Sequence, residues 1–337
     1  MNATNPGRRP TIRDVASAAG VSKSLVSLVY ANPSSVSSER TRRVLDAAAE
    51  LGFRPNAVAR SLAGNDGNFI GILVADLHNP VFSEIVDAAR RELARVGEVS
   101  LMTSATLPGD TSQHVLDDRL LALFRDLRPR GILIVGSVPD MAAVASFAAS
   151  SRIVVASAIA DQLPTAHTVR GDDVAGMRLV VDHLVGLGHR DIAHIGGQGG
   201  LVAQARAHAY EAAMAAHGLV DFVRVAPADY SESSGHAAAE MLLTSGTAPT
   251  AITAVNDLAA VGALAAAGEH DLQISVTGYD DTYLAALRQI SLTTVDPGNE
   301  AIGTRAAEVL SGNTAPPENE LLIPPMLRIR NSTTRIP

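Results

Sequence analysis

From residue 69 onward, short apolar runs rich in Val and Ile alternate with amphipathic stretches of helical length, and this alternation admits few architectures. FIGILVA (69–75) reads as a buried strand, and 81–96 carries apolar residues at helical spacing. EVSLMT, a helix over 112–126, GILIVGSV (131–138), a helix over 140–149 and RIVVASA (152–158) continue the rhythm. A second series begins near Thr168: a helix over 173–187, DIAHIGG, a helix over 203–217, FVRVA, a helix over 231–245, AITAVN, a helix over 257–267 and ISVTGYD. Parallel strands need crossover helices, so the expected fold class is α/β, with doubly wound parallel sheets in a two-lobed body. The helix at 298–311 has too little chain after it to found another domain. It returns to the first lobe with the strands LLIP and MLRIR, unless the last strand joins the second. The expected partition is lobe 1 at about 69–165 and 297–325, and lobe 2 at about 166–296 plus the C-terminal strand. Repeated crossing makes a hinge, and ligands of such sheets bind at the carboxyl ends of strands facing the cleft.

Residues 11–30, TIRDVASAAGVSKSLVSLVY, have a different texture. Thr11 caps a first helix, Asp14 suits its first turn, and Ile12, Val15, Ala16 and Ala19 share one face. Gly20 ends it, Ser22 caps a second helix, and Val26 and Val29 face inward. Helix, tight Gly-containing turn, helix is the helix-turn-helix pattern, whose second helix enters the DNA major groove; an αα-hairpin within a larger helical core is the alternative. Ser37 caps a third helix, 38–51, with Val44, Leu45, Ala48 and Leu51 closing the unit. The head domain is thus read as 9–55. At 56–68 follows a joint: eight residues of marginal helix (57–64), too short to be stable alone, then the linker Gly64-Asn65-Asp66-Gly67-Asn68. Such a helix orders on finding a surface; a plain linker is the other reading.

Charge divides the same way. Residues 1–64 hold nine basic side chains against four acids, while the whole chain is −8, which leaves −13 for the body. A basic head on an acidic body turns the head toward polyanions. With no cysteine there is neither disulfide nor thiolate chemistry, and the polar start MNATNPGRRP lacks the apolar core of a secretory signal. No apolar stretch is expected to span a membrane.

Catalytic patterns are missing. There is no G-x-S-x-G elbow and no G-x-x-x-x-G-K-[ST] loop, and the ten histidines form no H-E-x-x-H, most being expected at the surface or at helix ends. The turn 196–200 gives G-x-G-x-x-Val202, without the third small residue of a dinucleotide fingerprint, so it reads as a glycine-rich turn at a cleft rim. No metal, no cofactor and no enzyme activity are expected. Polar and aromatic residues instead gather at strand ends. Asp76, Asn79 and Phe82 follow the first strand; Arg206, Tyr230, Asn256, Asp257, Asp280 and Asp281 follow strands of the second series. Carboxylate, amide and guanidinium around an aromatic face suit a small polyhydroxylated ligand, though Asn256, Asp257 and Asp281 equally suit helix N-caps.

At these residues the chain resembles the lactose/galactose repressor (LacI/GalR) family nearly end to end. The head is similar to T-I-x-D-V-A-x-x-A-G-V-S-x-x-x-V-S (11–27) and V-S-x-x-T-R-x-x-V (36–44), and the joint to L-G-[YF]-x-P-N-x-x-A-x-x-L (51–62). The body matches at 70–82, H-L-x-x-L-G-H-R-x-I (183–192), N-D-x-x-A-x-G (256–262), S-V-x-G-Y-D-D (275–281) and L-T-T-V (292–295). The resemblance implies a homodimeric repressor that reads a pseudo-palindromic operator under control of a small effector, a sugar or related metabolite, in the cytoplasm at the nucleoid. It implies DNA contacts at Thr11, Ser22, Lys23, Ser24, Ser27, Leu28, Asn56, Ala59 and Leu62. Of these, Lys23, Ser24 and Leu28 would be base readers and Leu62 the minor-groove wedge of a hinge helix. Effector contacts map to Asp76, Phe82, Arg206, Tyr230, Asn256 and Asp280. Leu28 stands where many relatives carry arginine and offers only apolar contact, for example to a thymine methyl. Val81 replaces the usual aromatic before Phe82. No heptad leucine run precedes Pro337, so a dimer is expected and not a tetramer. The rival readings are a transporter's solute-binding protein and an NAD-dependent enzyme.

Overall fold

Eight small apolar side chains (Val15, Ala16, Ala19, Val26, Val29, Val44, Ala47 and Ala48) are buried together near the N-terminus and hold three helices, α1 (Ile12–Ala19), α2 (Lys23–Ala31) and α3 (Ser38–Glu50). A computed structural model describes residues 10–53, 67–108, 114–149, 151–312 and 319–336. It divides the chain into two compact units, Met1–Gly67 and Asn68–Pro337. In the first, the Asp14 carboxylate accepts from both the N–H and the hydroxyl of Thr11 (2.7 Å each), which fixes the start of α1. Gly20 ends it at φ 62°, and the Arg43 guanidinium donates to the Ala19 carbonyl at 2.6 Å. A Cβ on Gly20 would stand 3.2 Å from that guanidinium, so two independent constraints ask for glycine here. Ser22 caps α2 by accepting from the N–H of Leu25. Leu45, expected inside, is 45% exposed and Ala47 is buried instead, because Leu45 is turned about 100° from Val44 and so leaves the inner face.

The second unit holds two six-stranded sheets. The first runs β13-β7-β6-β5-β1-β2 and is built from β1 (Gly67–Val74), β2 (Ser100–Ser104), β5 (Pro129–Val135), β6 (Arg152–Ala156), β7 (His167–Gly171) and β13 (Glu320–Ile323). The second runs β14-β12-β11-β10-β8-β9. Its strands are β8 (Ile192–Gly197), β9 (Arg224–Ala228), β10 (Ala251–Ala254), β11 (Ser275–Tyr279), β12 (Thr293–Asp296) and β14 (Met326–Arg328). Only β14 is antiparallel to its neighbour among the recorded pairings of that sheet. Crossovers are made by α4 (Pro80–Arg95), α5 (Asp118–Asp126), α6 (Met141–Val144), α7 (Asp173–Gly186), α8 (Leu201–Ala216), α9 (Glu232–Thr244), α10 (Asp257–Glu269) and α11 (Asn299–Leu310). Strand order reverses between β1 and β5 in one sheet and between β8 and β10 in the other. Crevices for ligands open at such switch points.

Several boundaries differ from those read in the sequence. β7 pairs in parallel with β6, so the first lobe keeps residues 167–171 and the crossing falls at Gly171, one strand later than the expected 166. Of the two places read for the last strand it takes the second lobe, as in the expected partition: MLRIR supplies β14, which pairs with β12. The expected helix over 112–126 starts only at Asp118, whose preceding Asp117 caps it; Thr106–Pro108 (β3) and His114–Leu116 (β4) form a small antiparallel hairpin before it. Gly67 and Asn68, read as linker, open β1. After α6 the segment Ala145–Ala149 tightens to a 3-10 turn. The hinge-helix residues Asn56, Ala59 and Leu62 lie outside the described residues.

Three chain crossings join the lobes, after β7, after β12 and between β13 and β14, and they touch each other. A Cβ on Gly171 would lie 2.8 Å from Pro297 Cβ, and Asp172 donates its N–H to the Ile323 carbonyl at 3.0 Å. Among the described residues no helix is long and apolar enough to cross a membrane.

Candidate functional site: an exposed helix face and a buried charge cluster

On α2, Val26 and Val29 are buried, so helical geometry turns Lys23, Ser24, Ser27 and Leu28 outward together, and these four line one open depression. Leu28 is 41% exposed and lies on this outward face. Ser22 is exposed at the end of the same helix, while Thr11 is half-buried in its capping bonds. The face offers one cation, three hydroxyls and one apolar knob.

In the body, four expected residues come together at the switch point of the second sheet. Arg206, in the second turn of α8, is 5% exposed. Its Nε donates to Asp173 Oδ1 (2.9 Å), and its Nη1 to the Val255 carbonyl (2.6 Å) and Asp280 Oδ1 (3.2 Å). The guanidinium carbon stands 3.6 Å over the centroid of the Tyr279 ring. Two carboxylates and a π face hold its charge far above any accessible titration, despite burial. Burial in turn keeps the Asp280 carboxyl above its ordinary range, against the pull of Arg206. Asn256 caps α10 by accepting from Ala259 N–H (2.9 Å), and its Nδ2 donates to the Tyr230 carbonyl (3.0 Å). The Tyr230 ring lies over the glycine turn, where a Cβ on Gly199 would meet it at 2.9 Å, and burial pushes its hydroxyl up to about 12. That turn runs through positive φ at Gly197, Gly199 and Gly200, a backbone path that favours glycine, and at Gly199 a side chain would also collide with the Tyr230 ring.

Asp257 is not a cap. It accepts from Thr282 N–H (2.7 Å), Thr282 Oγ1 (2.9 Å) and Thr294 Oγ1 (2.5 Å), and burial pushes its carboxyl up to about 8. Asp281 is not a cap either; it accepts from Arg330 at 2.6 Å, which ties the strand end to the C-terminal segment.

Asp76 and Phe82 lie at the switch point of the first sheet, not in this cluster. The Asp76 carboxylate accepts from the N–H of His78 (2.8 Å), and Phe82 packs between the two cores of its lobe against Gly136. Asn299 joins the lobes: its Nδ2 donates to Glu84 Oε2 on α4 (3.0 Å) and to the Asp280 carbonyl (2.9 Å). Burial raises the Glu84 carboxyl, and Asp281, Asp296 and Asp280 push it the same way.

Asp173, Tyr279, Glu84 and Asn299 were not singled out from the sequence. Only the Asp172-Asp173 doublet carried a signal: one carboxylate caps α7, which frees its neighbour for Arg206. Two histidines also depart from the expected surface placement. His194, on β8, bonds Thr253 Oγ1 at 2.7 Å and stacks on Tyr210, and burial drives it down to about 3; His189 is buried between Thr250 and the Thr334 carbonyl.

The comparisons agree with this anatomy. A family model described as "Bacterial regulatory proteins, lacI family" matches residues 11–56, and one described as "Periplasmic binding protein-like domain" matches 181–333. The chain is 31% identical over 335 residues to the lactose operon repressor of Escherichia coli (strain K12), covering 97% of this chain and 91% of the relative. It is 31% identical over 312 residues to the transcriptional repressor PurR of Pasteurella multocida, covering 89% and 90%. The structure matches that of a lac repressor dimer bound to operator and the anti-inducer ONPF with a TM-score of 0.80 at 28% identity, over 97% of this chain and all of the other. Since the likeness spans both the helix-turn-helix unit and the two-lobed body, the chain belongs to the lacI family of bacterial regulatory proteins and is a transcriptional regulator, not an enzyme.

Proposed function

We propose that this protein is a repressor that binds a pseudo-palindromic operator as a homodimer, in the cytoplasm at the nucleoid, and is released or retained by a neutral polyhydroxylated metabolite of the sugar class. The observation that carries the reading is the outward face of α2, where Lys23, Ser24, Ser27 and Leu28 stand together on a helix-turn-helix unit. Lys23 and the serines supply phosphate and base-edge hydrogen bonds, and Leu28 supplies apolar contact to a thymine methyl. Thr11 and Ser22 meet phosphates at the helix ends, and Asn56 and Ala59 accompany Leu62 as its minor-groove wedge.

For the effector, Arg206, Tyr230, Asn256 and Asp280 form one wall and Asp76 and Phe82 the facing wall. The charge of Arg206 is already matched by Asp173 and Asp280, and Glu84 adds further acid. Such a site favours hydroxyl groups, which donate to carboxylates, over phosphate or carboxylate ligands, which these acids repel.

The test is binding of the purified protein to duplex from its own upstream region against random duplex at moderate salt, with slopes measured over a salt series. Preference for the upstream duplex, lost in Leu62→Ala while thermal shifts by sugars persist, is the expected result. Equal affinity for both duplexes would overturn the regulator reading, and full operator affinity in Leu62→Ala would overturn the wedge. A thermal-shift screen of sugars, sugar phosphates and nucleosides tests the effector class.

A further inference from the structure

Helices α9 and α10 pack so closely that a Cβ on Gly262 would stand 2.1 Å from the Glu232 carbonyl oxygen and 2.5 Å from the His236 nitrogen, and one on Gly235 2.3 Å from the Ala259 carbonyl oxygen. Backbones locked at that separation hold the side chains beyond the contact at fixed spacing. There, His236 and Glu240 lie one turn apart on the same face of α9. Glu269, the last residue of α10, and His270, which follows it, reach across from the other helix. His236 Nε2 is 3.2 Å from Glu269 Oε2, and His270 Nε2 is 2.8 Å from Glu240 Oε1. One ligand atom from each of His236, Glu240 and Glu269 lies within 4.8 Å of the other two.

We propose that this cluster is a divalent transition-metal site that clamps α9 to α10. Around a tetrahedral ion with bonds of about 2.0–2.1 Å, ligand atoms stand roughly 3.3 Å apart. The His236–Glu269 pair already has that spacing, and Glu240 closes the rest by side-chain rotation. His270 or a water takes the fourth position. One or two imidazoles with two carboxylates, in a chain without cysteine, favour zinc, nickel, cobalt or copper(II) over magnesium and calcium. The two carboxylate charges balance the ion. Asn256 caps the opposite end of α10 and binds the Tyr230 carbonyl just before α9, so an ion here pins both helices whose starts hold Tyr230 and Asn256. The site does not depend on the identity of the effector. It escaped motif reading because its halves are 29 or more residues apart in sequence and share no H-E-x-x-H pattern.

The experiment uses untagged, chelator-treated full-length protein, titrated with Zn²⁺ by calorimetry and with Co²⁺ by visible absorption. One equivalent per chain is expected, with intense tetrahedral Co²⁺ bands and a Tm that rises with Zn²⁺. Glu269→Gln, at a side chain 63% exposed and so harmless to folding, and His236→Ala are each expected to weaken binding at least about tenfold and to remove the Tm rise. His208→Ala, at an exposed histidine on α8, is expected to bind as the parent does. Unchanged zinc affinity in both Glu269→Gln and His236→Ala, or the absence of a saturable equivalent in the parent, would overturn the proposal; in that case the cluster is a pair of surface imidazole–carboxylate contacts.

Discussion

Buried against Thr282 and Thr294, the Asp257 carboxyl is pushed up from an ordinary 3.8 to about 8, so at neutral pH the folded chain binds a proton there that the unfolded chain releases. Because the folded value is the higher one, this contribution to stability is complete below the unfolded value and is lost as pH rises through about 8. Denaturation midpoints are therefore expected to fall between about pH 4 and about pH 8, and Asp257→Asn, which cannot titrate, to flatten that slope. Parallel slopes for the two proteins would refute the assignment. Arg206 makes a second test. Arg206→Met leaves Asp173 and Asp280 buried without their cation and is expected to cost about 3–5 kcal/mol in urea unfolding, whereas Arg206→Lys, which keeps the charge and loses the planar fork over Tyr279, costs less. Arg206 and Asp280 were legible as polar residues beside strand ends. Their mutual pairing was not, since the third member, Asp173, lies 33 residues before Arg206 and on another helix.

At the scale of elements, the close packing of α9 on α10 predicts opposite signs for two like substitutions. Gly262→Ala forces the helices apart and is expected to destabilise by about 1–3 kcal/mol. Gly268→Ala, on the same helix with nothing within 4 Å of the new methyl, is expected to stabilise by roughly 0.5 kcal/mol. Thermal denaturation of the two variants beside the parent decides it. Most elements were readable because hydrophobic period and capping act over a few residues: Thr11 with Asp14, Gly20 and Ser22 specify the head within a dozen positions. The stretch 112–117 misled because Val115 and Leu116 fit a helical stripe that continues into α5, while their actual partners are Leu107 and Thr106 across a hairpin. Leu45 misled for a related reason: a pair of adjacent apolar residues does not say which of the two faces inward.

For the whole molecule, control of DNA binding by a small ligand is a coupling free energy and is therefore reciprocal. The sugar selected by thermal shift is expected to change the operator dissociation constant by some factor, and saturating operator to change the sugar's dissociation constant by the same factor. Fluorescence anisotropy and calorimetry measure the two sides, and a factor of one on both would show that the sugar does not control DNA binding. What the sequence by itself determined was the α/β class, the helix-turn-helix head with its caps and its outward Leu28, and the family, since each rests on short-range period, local hydrogen bonding or ordered motifs. Only the tertiary structure decided that β7 and β14 belong to different sheets, that Asn299 joins Glu84 to the Asp280 carbonyl between lobes, and that burial raises the Asp257 carboxyl. Strand partnership is set by competition among distant segments for one sheet edge, and a carboxyl's charge by how much remote chain displaces its water; neither quantity is stored near the residue that shows it.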